Sequence, residues 1–101
     1  MLRVLREAQI EVADASFWYD CQQPGLAVDF MIEFERVCAR IQKFPLFGAP
    51  LAELNERGDF RHSLMRRFPY AVIYLIRGED ITVVAVSHAR RKPLYWHERI
   101  E

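Results

Sequence analysis

Apolar residues recur along the first half of the chain with the period of a helix. Over residues 7–22 and again over residues 27–44 they return every three or four positions, which places them on one face of an amphipathic helix. Pro24 and Gly25 separate the two stretches, and Pro45 ends the second, because the residue before a proline is disfavoured in the helical conformation. Two helices with so short a connection are expected to pack as an antiparallel hairpin.

The second half has the pattern of strands. Residues 70–76 and 81–86 are nearly continuous runs of β-branched and aromatic residues joined by a turn at residues 77–80, and residues 60–68 alternate in part. Leu2 and Val4 flank Arg3, which predicts a short first strand, whereas residues 45–59 have the composition of an irregular segment. The order strand, helix, helix, three strands and C-terminal tail predicts one α+β domain over residues 1–101. Its helix hairpin should cover one face of a small, mainly antiparallel sheet.

Charge and composition narrow the function classes. The formal net charge is zero, which does not favour general nucleic-acid binding, but residues 1–58 carry 6 Lys/Arg against 9 Asp/Glu and residues 59–101 carry 8 against 5. The basic second half therefore suits an anionic partner.

His62 and His97 have no metal-ligand spacing to each other or to the two cysteines, so we expect neither a metal nor a cofactor. No apolar run is long enough to span a bilayer, so we expect a cytoplasmic protein that does not contact membranes.

The C-terminal third carries a distinctive order of motifs. Residues 64–74 read Leu-Met-Arg-Arg-Phe-Pro-Tyr-Ala-Val-Ile-Tyr, residues 81–88 read Ile-Thr-Val-Val-Ala-Val-Ser-His, and residues 91–96 read Arg-x-Pro-x-Tyr-Trp. This order resembles the RelE/ParE toxin superfamily, in which a basic strand ends in Phe-Pro-Tyr and a hydrophobic hairpin follows. A His-x-x-Arg-x-Pro-x-Tyr-Trp tail then closes the domain.

The resemblance implies the toxin of a bacterial type II toxin–antitoxin pair, also known as a plasmid stabilisation system. ParE-like members inhibit DNA gyrase, whereas RelE-like members cut mRNA on the ribosome. In both branches a cognate antitoxin wraps the toxin and the pair represses its own operon, so that DNA is contacted only indirectly, through the antitoxin.

The resemblance keeps an enzymatic alternative open. RNA cleavage without a metal needs a base, an acid and cations around the phosphate. By their places in the superfamily pattern, the catalytic residues of a RelE-like member would be Arg66, which precedes Tyr70 by four positions, together with Arg91 and Tyr95 after the last strand.

Several departures favour the ParE-like branch. RelE-like nucleases are strongly basic and carry a lysine cluster before the catalytic strand, as binding to RNA demands. Here residues 45–60 hold Glu53, Glu56 and Asp59 with a single arginine, and the position after Tyr70, basic in RelE-like sequences, is Ala71. These departures favour a gyrase inhibitor without hydrolytic activity. A third hypothesis is an inactive module that only binds an antitoxin.

The tail and the adjacent strands supply the partner-binding residues of the ParE-like hypothesis. Adjacent cations beside aromatic residues are a plausible surface for an acidic antitoxin segment or a target protein. The alternative for each arginine is a solvated charge with little energetic role, and for the histidine a structural hydrogen bond. The predicted partner-binding residues are Arg67, His88, Arg90, Lys92 and Trp96.

Overall fold

The two predicted helices form the expected hairpin. The computed structural model describes residues 1–100, apart from the side chain of Asn55. Helix α1 spans Arg6–Gln22 and helix α2 spans Leu26–Lys43. The turn between them is held by the Asp20 carboxylate, which accepts hydrogen bonds from the backbone N–H groups of Gly25 at 2.9 Å and Ala27 at 3.2 Å. Gly25 has a φ of +98°, a conformation that disfavours any residue with a side chain.

A five-stranded sheet lies against the hairpin. Its strands are β1 (Leu2–Val4), β2 (Ala49–Pro50), β3 (Asp59–Leu64), β4 (Tyr70–Arg77) and β5 (Asp80–His88). The order across the sheet is β1-β5-β4-β3-β2, with β1 parallel to β5 and every other pair antiparallel. The predicted α+β architecture is confirmed, and the two most apolar strands, β4 and β5, lie inside the sheet.

A bulge in β5 explains why its buried residues run without interruption. Ile73 pairs with Ala85 but Tyr74 pairs with Val83, which leaves Val84 as an extra residue. Val83 and Val86 consequently pack on the helix side, while Val84 and Ala85 pack on the opposite side. One strand therefore contributes side chains to two separate cores.

Both faces of the sheet are covered. On the helix face, Phe30 and Phe34 of α2 pack against residues of β4 and β5. On the other face, Phe60, Leu75 and Trp96 form a second cluster beneath the 3₁₀ turns Ala52–Arg57 and His97–Arg99. The sequence pattern predicts the first layer. The second depends on the tail and on residues 45–59, which lack a periodic pattern.

The predicted strand over residues 60–68 is too long. Strand β3 ends at Leu64, and residues 65–69 form a loop in which Arg67 has a φ of +70°. Pro69 has no N–H to contribute to a ladder, and a left-handed residue breaks the extended conformation. Arg66 is therefore in a loop as well, and not in the strand predicted to extend to residue 68. Residues 45–59, predicted to be irregular, contain the short β2 and two 3₁₀ turns.

The segment after α2 folds around the hydroxyl of Tyr74. This side chain is fully buried, and its hydroxyl donates a hydrogen bond to the Pro45 carbonyl at 2.6 Å and accepts one from the Gly48 N–H at 3.1 Å. A Cβ at Gly48 would lie 2.2 Å from that oxygen, so the close approach requires glycine. Through these two hydrogen bonds the buried Tyr74 fixes the backbone of residues 45–48, the surface corner that follows α2.

We expect Tyr74→Phe to lower the free energy of unfolding by about 1–3 kcal/mol, because it leaves the partly buried Pro45 carbonyl and the buried Gly48 N–H without this partner. Urea denaturation measures the change. Tyr70→Phe is the matched control, since within residues 1–100 its hydroxyl makes no hydrogen bond while its ring packs on the same strand face. Equal urea midpoints for the two variants would show that the corner does not depend on this hydroxyl.

Candidate functional site

A largely apolar groove lies where β4 begins and β5 ends, at the paired residues Tyr70 and His88. Its volume is about 470 Å³. Its apolar lining includes Leu64, Pro69, Leu94 and Trp96, while Glu53 and Arg91 contribute charge. Such a concave surface suits binding of an apolar group with a few polar contacts at its rim.

The structure brings together two of the three residues predicted for RNA cleavage. The Arg91 guanidinium lies 4.0 Å from the centroid of the Tyr95 ring. The Tyr95 hydroxyl, however, donates a hydrogen bond to the Glu11 carboxylate. Burial raises the pKa of Tyr95 to about 12, and the hydrogen bond to Glu11 adds to the rise. At neutral pH this phenol keeps its proton and is already occupied, so it is poorly suited to acid–base exchange.

Glu11 is the residue that holds the tail. Its carboxylate accepts hydrogen bonds from Arg99 at 2.9 and 3.1 Å, as well as from Tyr95. It also accepts the backbone N–H of Val86 at 2.9 Å, while Arg99 donates to the carbonyl of Val84 at 3.1 Å. Strand β1 ends opposite Val83, so these two groups of β5 lie beyond its reach. The Glu11–Arg99 ion pair therefore supplies the hydrogen bonds that a neighbouring strand would otherwise make to Val84 and Val86.

Sequence reasoning missed Glu11, although a signal was present. Glu11 stands among Ala8, Val12 and Ala15 on the buried stripe of α1, where a carboxylate requires a partner. Its partner, Arg99, lies in a polar tail without periodicity, so the pairing itself could not be deduced.

The third predicted catalytic residue, Arg66, lies in the loop over residues 65–69, which α2 anchors. The Arg66 N–H donates to the Glu33 carboxylate, which also accepts two 2.8 Å hydrogen bonds from Arg36. The hydrogen bonds from Arg36 hold the pKa of the Glu33 carboxyl below its usual value. Arg66 is exposed and does not line the groove that Arg91 lines.

The five predicted partner-binding residues differ in accessibility. Arg67, Arg90 and Lys92 are exposed, and Arg67 lies 3.4 Å from Asp29 in an exposed ion pair. His88 is half-buried, and its Nδ1 accepts the N–H of Arg90 at 3.0 Å, which is the structural alternative considered for it.

Trp96, predicted to contact a partner, packs for the most part in the core. It is only 3% exposed and packs on Phe60 with ring centroids 5.6 Å apart. The apolar face of the sheet requires a cover, and this indole supplies it, so a partner in the groove would reach only the small part of Trp96 that lines the groove.

The profile of a family described as the ParE toxin of the type II toxin–antitoxin system, parDE, matches residues 2–93. The chain belongs to the ParE toxin family. The predicted superfamily and branch are thereby confirmed, and the match includes the loop of Arg66 and Arg67 as well as His88 and Arg91.

A solved structure supports the ParE fold independently. A chromosomal ParDE TA system from P. aeruginosa superposes with a TM-score of 0.72 at 17% identity, covering 88% of this chain and 95% of that chain. No curated protein matches the sequence. None of the helices described over residues 1–100 is long and apolar enough to cross a membrane.

The Glu11→Gln substitution should destabilise this ParE-family protein by about 2–3 kcal/mol, because it leaves the mostly buried Arg99 without its counter-ion. Amide exchange of residues 95–99 should accelerate more than that of α2, since the tail loses its anchor. Urea denaturation and hydrogen exchange measure the two effects. Asp14→Asn, an exposed change of acid to amide on the same helix, is the control. An unchanged tail exchange rate would contradict the anchoring role of Glu11.

Proposed function

We propose that this toxin acts in the cytoplasm by binding and inhibiting DNA gyrase, and that a cognate antitoxin neutralises it. The observation that carries the proposal is the engagement of Tyr95 by Glu11 beside an apolar groove. This arrangement offers a binding surface and withholds the acid–base group that cleavage would use. The tail cations Arg90, Arg91 and Lys92 are exposed at this end of the sheet and would contact an acidic partner.

Ribosome-dependent mRNA cleavage is the second hypothesis, because Arg91 lies against Tyr95. It requires Arg66 and Arg91 to act on one phosphate and Tyr95 to leave Glu11. An inactive module that only binds the antitoxin is the third hypothesis.

A direct assay of both activities decides among these hypotheses. Purified protein should block gyrase supercoiling while ribosome-bound mRNA stays intact. Lys92→Glu should weaken inhibition about tenfold, because a charge reversal in a contact patch places like charges together. Arg6→Glu, at an exposed position on α1, is the matched charge reversal and should retain inhibition.

The opposite result identifies the nuclease. If mRNA is cut at the decoding site and Arg66→Ala abolishes the cut, the gyrase proposal fails. Neither activity, together with no growth defect on expression, would leave the inactive module.

The helix hairpin of the toxin has a surface that suits the binding of an antitoxin. A groove of about 370 Å³ runs between α1 and α2 and is lined by Val12, Ala13, Met31 and Phe34. We propose that an amphipathic antitoxin helix places its apolar face there, while an acidic segment covers the tail cations. In this scheme the toxin contacts operator DNA only through the antitoxin.

Met31→Glu should abolish neutralisation, because it introduces a carboxylate into an apolar contact. The assay is growth on co-expression with the cognate antitoxin, together with the dissociation constant of the purified pair. Gln42→Glu adds the same charge at an exposed position of α2 and should still be neutralised. Affinity should also fall as salt rises if the acidic segment contacts the tail; an affinity that is indifferent to salt would remove that contact from the proposal.

A further inference from the structure

Large apolar side chains are exposed at the corner that follows α2. Phe44, Leu46 and Phe47 are 54%, 68% and 67% exposed. Arg40 and Lys43 lie over the two rings, with the Arg40 guanidinium 4.4 Å from the Phe47 centroid and the Lys43 ammonium 5.6 Å from that of Phe44. These five residues are called the corner patch. Its position at the end of α2, beside β2, separates it from both surfaces of the proposed function.

The backbone beneath the corner patch is held rigidly. Arg61 donates hydrogen bonds from its Nη1 to the carbonyls of Leu46 at 3.0 Å and Gly48 at 2.9 Å. The buried Tyr74 hydroxyl holds Pro45 and Gly48 from below. A surface whose backbone is already fixed loses little conformational entropy when a partner binds, which favours affinity.

The charge of the segment indicates what would bind. Residues 36–52 contain Arg36, Arg40 and Lys43 and no carboxylate, although the first half of the chain is acidic as a whole. Arg36 is paired with Glu33, whereas the ion pairs found over residues 1–100 do not include Arg40 or Lys43. A partner carboxylate would meet a cation already placed on an aromatic ring.

We propose that the corner patch is a docking surface for a partner-protein segment that alternates carboxylates with large apolar side chains. The apolar groups pack beside Phe44 and Phe47, and the carboxylates pair with Arg40 and Lys43. An anionic bilayer fits less well, because two cations on a rigid corner supply little electrostatic attraction to a lipid surface. The proposal does not depend on which target the toxin inhibits.

The test uses the ¹⁵N-labelled full chain and a blocked twelve-residue peptide that alternates glutamate with leucine and phenylalanine. Amide shifts should concentrate at residues 40–48. Phe47→Ser and Arg40→Gln should each weaken binding about tenfold, as expected for a central contact. Ile32→Ser, at a side chain 58% exposed on α2, should bind as the wild type does. Urea midpoints confirm that each variant is folded.

Two control peptides separate charge from apolar contact. Replacing the leucines and phenylalanines by serine, or the glutamates by glutamine, should each weaken binding by about tenfold or more. The proposal is overturned if the serine peptide binds equally well, or if the shifts centre on residues 88–92.

Two other occupants would also overturn it. One is a lipid surface, shown by binding to phosphatidylserine vesicles that Phe47→Ser abolishes. The other is a second copy of the chain, whose α1 exposes Phe17 and Trp18 near Asp14 and Asp20. A dimer in sedimentation that dissociates on Phe47→Ser would assign the corner patch to that contact.

Discussion

The carboxylate of Glu11 joins three parts of the protein that no strand pairing connects. It is supplied by α1, it receives a backbone N–H of β5, and it holds Tyr95 and Arg99 of the tail. The cover on the second face of the sheet is anchored through this ion pair. A mostly buried charge is tolerated there because every polar group involved has a partner. The same contact engages the Tyr95 hydroxyl, so one carboxylate both anchors the tail and occupies a polar group of the candidate site.

The elements whose apolar residues repeat could be predicted from the sequence. Helices α1 and α2 and strands β4 and β5 follow from periodicity and from Pro24, Gly25 and Pro45 as boundaries. Strand β3 was predicted too long, because Arg66 and Arg67 continue the polar pattern although Arg67 adopts a left-handed conformation. The two-residue β2 gives no periodic signal, since its position depends on the Tyr74 hydroxyl and on pairing with β3.

The sequence predicts which types of residue form the site, but it predicts fewer of the contacts between them. Arg91 and Tyr95 do lie together, and Arg67, Arg90 and Lys92 are at the surface as a charged residue usually is. The position of Trp96 could not be predicted in the same way. In the sequence, a large aromatic residue in a basic tail is equally consistent with a binding residue and with a core residue. Its burial follows from the second face of the sheet, which needs a cover from outside the periodic elements.

The bulge at Val84 also sets the orientation of everything after it. With the extra residue, Val86 faces the helices and His88 meets the ring of Tyr70 at 5.0 Å. A regular strand would instead turn Ser87 toward the helices and His88 toward the opposite face of the sheet. The extra residue therefore reverses the face of the sheet on which each following side chain lies, a few residues before the motif His-x-x-Arg begins. Loss or gain of one residue in β5 would thus exchange the two faces on which the tail presents its side chains, while leaving the composition of the motif intact.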